Sequence, residues 1–435
     1  MPTTRPGPLP IRSIIVAIGA AVLVTACNET SDGPANDGPA TAETGEAPDE
    51  ATAGSADHPV PHEGGVPLPA GTDVPLPDLD TADVPLEDIV FNTFDGSFLR
   101  LSDATSQRIV ELRDRIPPIE RPRYVLPGDD DLGDDDLVDD DDLVLGYVAT
   151  DGQPYAFPIA ILNFHEIIND EFAGEPVLIT YCPLCRSGIV YDRTLDGDEL
   201  TFGNTSALFD NDLVMYDHQT GSFWWHVAGR ALVGERAGRS LTPLPSSMAT
   251  WDEWLGRHPD TLVLSSDTGF DRPYGRGDPF AGYQDAVDDG HRGFPGADAS
   301  RQDDRLRDGE DVLGIVLDDE ARAYPLRQLG DAVINDELAD TPLVVVSRAA
   351  GPSGVAFDRR VDGQTLTFAA DGDGIVDEQT GSQWTRGGRA IDGPLEGSQL
   401  DAIPVRSSFW FAFVASFPDT DVFDAEASDH QETGR

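Results

Sequence analysis

The chain contains no lysine. All 29 of its basic residues other than His are Arg, set against 80 carboxylates, and the formal net charge is −51 over 435 residues. Such a surface repels phosphate backbones and anionic headgroups, which excludes nucleic acid as a partner. Cysteine is almost as scarce, with only Cys27, Cys182 and Cys185. Three cysteines exclude a disulfide-stapled scaffold and a four-cysteine zinc site. Also missing are a phosphate-binding glycine loop, a serine nucleophile elbow and a His-Glu-x-x-His helix, so nothing points to nucleotide chemistry or hydrolysis. What remains is an ordinary apolar share, 39%, enough to build a core. An excess of carboxylates without lysine reads as adaptation to high salt, where dense carboxylates hold water and salt screens their repulsion.

The N-terminus reads as a targeting segment. Arg5 and Arg12 precede an apolar run from Ile14 to Val24, too short to cross a bilayer as a helix. It ends in Val24-Thr25-Ala26-Cys27, the form of a lipoprotein processing box, so residues 1–27 are expected to be a signal peptide and Cys27 the lipidated residue. Residues 28–83 are rich in Pro, Gly, Thr and acid and are expected to be a disordered linker. The expected product is exported and held on the outer face of the cytoplasmic membrane by its lipid, although one anchor alone binds weakly.

The main internal signal is a repeat. Ser187-Gly188-Ile189-Val190-Tyr191-Asp192-Arg193 is echoed by Ser353-Gly354-Val355-Ala356-Phe357-Asp358-Arg359. In the same order, Asn169-Asp170-Glu171 matches Asn335-Asp336-Glu337, Gln219-Thr220-Gly221-Ser222 matches Gln379-Thr380-Gly381-Ser382, and Trp224 matches Trp384. Pro259-Asp260-Thr261 matches Pro418-Asp419-Thr420. The expected division is a lead-in with an acidic loop over 84–141, a first copy over 142–265, an inter-copy segment over 266–310, a second copy over 311–424 and a disordered tail over 425–435. Apolar alternation around Asp-Gly turns predicts hairpins in each copy. Helices are predicted over 158–169 and 248–258. The expected fold class is α+β and mostly antiparallel β, as two tandem homologous modules with two short helices each.

Chemistry concentrates in Cys182-Pro183-Leu184-Cys185, where a buried strand runs into a loop. This spacing suits a redox dithiol, half of a metal site or a structural disulfide. A bridge across so short a loop adds little stability, and the second copy, with Arg348 and Gly351 at these positions, does without it. His165 lies on the helix before the cysteine strand and becomes Asp331. It is a candidate to favour the thiolate or to donate nitrogen to a metal. Met215, replaced by Ile375, reads as a core side chain or as a thioether that would suit Cu(I) beside two thiols. For His218 and His226, replaced by Glu378 and Arg386, the structural reading is preferred.

The run Val177-Leu178-Ile179-Thr180-Tyr181-Cys182-Pro183-Leu184-Cys185 resembles the signature of the domain of unknown function 3179 family. So do His165-Glu166-Ile167-Ile168-Asn169-Asp170, Met215-Tyr216-Asp217 and Ala321-Arg322-Ala323-Tyr324-Pro325, and the likeness extends from about Arg113 to Asp424. It is similar to the halophilic archaeal type of that family. The resemblance implies that the duplication is a family property. It fixes identity better than function, but relatives that place selenocysteine in the Cys-x-x-Cys motif imply redox chemistry there.

Three functions stay open from sequence. The leading expectation is a membrane-anchored thiol redox protein, a candidate thiol–disulfide oxidoreductase with Cys182 attacking, Cys185 resolving and His165 tuning the thiolate. The second is a Cu(I)-binding or copper-delivery protein using Cys182, Cys185, His165 and Met215. Either would act on a redox or copper-site partner protein. The third is a surface binding module with a structural disulfide and a cleft lined by Tyr274, Arg276, Tyr283 and Trp224.

Overall fold

A computed structural model describes residues 74–128, 137–275, 279–280, 282–290, 303–349, 351 and 353–424. The expected signal peptide with Cys27, the tail and Arg276 lie outside these residues, as do 129–136 of the acidic run. The structure is mostly antiparallel β with short helices, as expected. Among the described residues no helix is long and apolar enough to cross a membrane.

The element order of residues 143–264 recurs over residues 311–422. In the first stretch the hairpin Leu143–Val148/Pro154–Pro158 leads into the helix Ile159–His165. Three antiparallel strands follow, Ile167–Phe172, Glu175–Cys182 and Ser187–Asp192, in ladder order. A second sheet contains Phe202–Phe209, Asp212–Asp217, Phe223–Trp225 and Arg230–Val233. The helix Trp251–Arg257 then closes the unit. The counterparts are Asp311–Leu317, Glu320–Pro325, Ala332–Leu338, Thr341–Arg348, Ser353–Asp358 and the small sheet from Phe368–Asp371 to Ala390–Asp392.

Several residues held in both stretches make the same contacts in both. Asn169 exchanges hydrogen bonds of 2.8 Å with the Phe202 backbone, and Asn335 does so with Phe368. Trp224 Nε1 donates to Asp217 at 2.9 Å, and Trp384 to Asp377 at 3.0 Å. Gly146 and Gly314 lie beneath helical aromatics, where a Cβ would run into Trp254 or Phe413.

The two stretches are joined through one sheet. Val405–Phe409 pairs with Asp311–Leu317 and also meets Ser187–Asp192 through Ser407 and Gly188. A single buried apolar cluster therefore holds Cys182, Cys185, Leu213 and Met215 together with Val312, Phe409 and Trp410.

Three local expectations shift. The first helix stops at His165, because Glu166 takes a left-handed conformation (φ 59°) and Ile167 onward joins the sheet. The second predicted helix begins at Trp251, capped by Thr250, and Met248 belongs to the strand Ser246–Thr250. The expected linker over 28–83 is docked from Val74: the Arg113 guanidinium donates to the Val74 and Pro75 carbonyls, and Val74 and Leu79 pack on the Ile89–Phe91 core.

Candidate functional site

The cysteines sit at a hairpin tip. Cys182 ends one strand and pairs with Ser187, which begins the next, so Pro183 to Arg186 form the turn. Arg186 takes the left-handed φ of 47° that closes it. Both thiols are free and buried, at 1% and 0% exposure.

A carboxylate meets them from the neighbouring sheet. Cys185 Sγ donates to Asp212 Oδ1 at 2.9 Å and lies 3.0 Å from Ser187 Oγ. Single donor atoms of Cys182, Cys185 and Asp212 all lie within 4.8 Å of one another. Asp212 Oδ2 accepts from the Val227 amide at 2.8 Å, and its Oδ1 lies 3.2 Å from His226 Nδ1. A carboxylate can only accept, so this contact puts a proton on Nδ1. His226 Nε2 lies 2.7 Å from Thr180 Oγ1. Asp212, His226, Thr180 and Ser187 are all fully buried.

The surroundings disfavour both thiolates, although the hydrogen bond with Cys185 partly offsets the rise at Cys182. Burial raises the Cys182 thiol above its ordinary range, and the Asp212 and Glu166 carboxylates add to the rise. Cys185 is raised well above, by burial first and then by Cys182 and Asp212. Glu166, hydrogen-bonded to Asn204 Nδ2 at 2.7 Å, is pushed by burial up to about 8. Among the described residues no guanidinium pairs with Asp212: Arg186 turns to Asp311 at 3.4 Å, and Arg406 Nε donates to the Val227 carbonyl.

His165 is engaged elsewhere. Its Nδ1 lies 2.7 Å from the Pro117 carbonyl, which fixes the proton there, and its Nε2 accepts a short hydrogen bond from the Tyr274 hydroxyl. Tyr274 in turn meets Thr268 Oγ1 at 2.7 Å. Burial lowers His165 to about 4. The imidazole at the thiol site is His226, which sequence reading had set aside, with Asp212, which it missed. Met215 is fully buried in the thiol cluster. His218 stacks on Tyr216, away from the thiol hydrogen bonds. Trp224 is completely buried.

The repeat held the missing signal. Counting from matched residues, the second copy has Ala332 for Glu166, Val346 for Thr180, Ala370 for Asn204, Gly372 for Asp212 and Arg386 for His226. It loses the whole polar surround of the thiols except Ser187, kept as Ser353, while retaining Asn335, Asp377 and Trp384.

Fold and site together define a β-rich protein of duplicated element order with a buried dithiol–carboxylate centre in its first half. The chain belongs to the family described as protein of unknown function DUF3179, whose model matches residues 113–420. No curated protein and no solved structure matches it.

Proposed function

We propose that this is an exported metal-binding protein in which Cys182, Cys185 and Asp212 hold one thiophilic cation, Cu(I) or Zn(II). The observation that carries this reading is the convergence of two thiols and a carboxylate within 4.8 Å in a fully buried site. The surroundings that make thiolates costly here, burial beside the Asp212 carboxylate with no guanidinium among the described residues paired to it, favour a bound cation, which replaces the thiol protons and neutralises the cluster. Two sulfurs select thiophilic metals over magnesium and calcium. The Asp212 oxygen suits zinc, and the nearby Met215 thioether suits Cu(I). His226 and the Val227 amide orient Asp212, the usual task of groups behind a ligand. The expected Cys27 anchor would hold the site outside the cell, where a partner protein would supply or receive the metal.

The test is titration of metal-free protein with Cu(I) and with Zn(II). One equivalent should bind, Cys182→Ser should abolish binding, and Asp212→Asn should weaken it about 10–100-fold. His165→Phe should leave it unchanged. Binding that survives Cys182→Ser would sink the proposal.

A second reading, thiol–disulfide exchange, draws on the 2.9 Å contact from Cys185 to Asp212. Asp212 would take the Cys185 proton as that sulfur displaces a partner thiol from Cys182. Burial of both sulfurs weighs against it, since the thiolate is the nucleophile. A pair that cycles between dithiol and disulfide in defined thiol buffers, while binding no metal, would favour this reading.

A further inference from the structure

A cavity of about 630 Å³ lies beside the cysteine loop. Tyr181, Pro183 and Arg186, the chain neighbours of the two cysteines, form one wall. Phe409 belongs both to this wall and to the buried cluster that holds the sulfurs. It is 1% exposed, and its amide donates to the Cys185 carbonyl at 2.8 Å. A residue that lines the cavity and shares a buried cluster with the thiols thus comes from the second half of the chain.

The corresponding loop in the second half meets different neighbours. Thr250 holds there the position that Phe409 holds here, and its methyl occupies the space where a Cβ on Gly351, the counterpart of Cys185, would stand. Ser353 Oγ, the counterpart of Ser187, donates to Glu253 of the same helix at 2.8 Å. The loop that carries thiols in one half is thus packed directly against a helix cap and its first turn in the other.

We propose that the cavity is the vestibule by which a metal cation reaches Cys182 and Cys185, and that Phe409 is its gate. The inference rests on the metal-binding reading above for the identity of the ligand. Among the described residues, Asp139, Asp141 and Asp142 line the cavity against a single Arg186, a balance that concentrates cations over anions. Phe409 blocks the way at rest, and rotation of one aromatic side chain opens it without disturbing the sheet.

The test uses the folded, metal-free full chain and two methanethiosulfonate reagents of similar size, one cationic and one anionic. Filling the vestibule with Ala160→Phe, on the helix wall, should slow labelling of the cysteine pair at least about tenfold, and Phe409→Leu should speed it by a similar factor. Asp139→Asn, Asp141→Asn and Asp142→Asn together should slow the cationic reagent relative to the anionic one. Zn(II) on-rates should follow the same order while the equilibrium affinity of Ala160→Phe stays unchanged. Labelling in denaturant should be equal for all variants, and thermal unfolding confirms that each is folded. Labelling indifferent to both Ala160→Phe and Phe409→Leu overturns the vestibule, even if metal binds. Labelling that responds in protein that binds no metal upholds the route and overturns only the metal reading.

Discussion

Glu166 and His165 are adjacent in sequence, and burial moves both away from their ordinary titration in opposite senses for stability. Glu166 is raised to about 8, by burial and then by Asp212, against the opposing hydrogen bond from Asn204. The folded state holds its proton where the unfolded chain has released it. This contribution is complete below the ordinary carboxylate range and is lost as pH climbs to 8. His165 is lowered to about 4 by burial, so its contribution is present above the ordinary imidazole range and is lost as pH falls toward 4. Between pH 6.5 and 8 the metal-free protein should therefore lose stability at up to about 1.4 kcal/mol per unit through Glu166. Glu166→Gln keeps an acceptor for Asn204 and should flatten that slope; urea unfolding at both pH values measures it. An unchanged slope in the variant would place the charge elsewhere. Glu166 also holds a left-handed backbone without being glycine, a cost that only a fixed surround sustains.

The helix Ile159–His165 acts as an element that ties segments together. Its last residue bridges the lead-in at Pro117 and the inter-copy segment at Tyr274, and Phe270 and Tyr274 pack on the same ring. His165→Phe should cost about 1–3 kcal/mol by orphaning the Pro117 carbonyl and the Tyr274 hydroxyl, read as a lowered urea midpoint, with thiol reactivity unaltered. A change in thiol reactivity without loss of stability would return His165 to the site. Element existence was legible in the sequence: hairpins around Asp-Gly turns, and helices at Pro158 and Trp251. Element ends were not. The helix stop at Glu166 depends on a backbone conformation that its side chain does not announce, and Met248 was drawn into the strand Ser246–Thr250 by pairing with Leu145.

Across the whole molecule, charge and connectivity set the behaviour. A net charge of −51 repels itself in the compact state, and salt shortens the range of that repulsion from about 10 Å at 0.1 M to about 3 Å at 1 M. The thermal midpoint should rise steadily as KCl increases from 0.1 M to 2 M, measured by circular dichroism. A flat response would count against adaptation to high salt. The strand Val405–Phe409 ties the halves into one sheet and one core, so the second half is a wall of the first half's site as well as its degenerate echo.

The sequence by itself determined the β-rich class, the duplicated order of elements and the family, and it singled out Cys182 and Cys185 as candidates, because turns, alternation and matched residues are local or ordered signals. It also contained, in the copy-to-copy differences, the loss of Glu166, Thr180, Asp212 and His226. Only the tertiary structure decided which of these face the thiols. Asp212 is 27 residues from Cys185 along the chain and reaches it from another sheet, whereas His165, nearer in sequence to Cys182 than His226 is, points to Pro117 and Tyr274. Such meetings are set by how sheets and connecting segments pack on one another, which no spacing along the chain encodes.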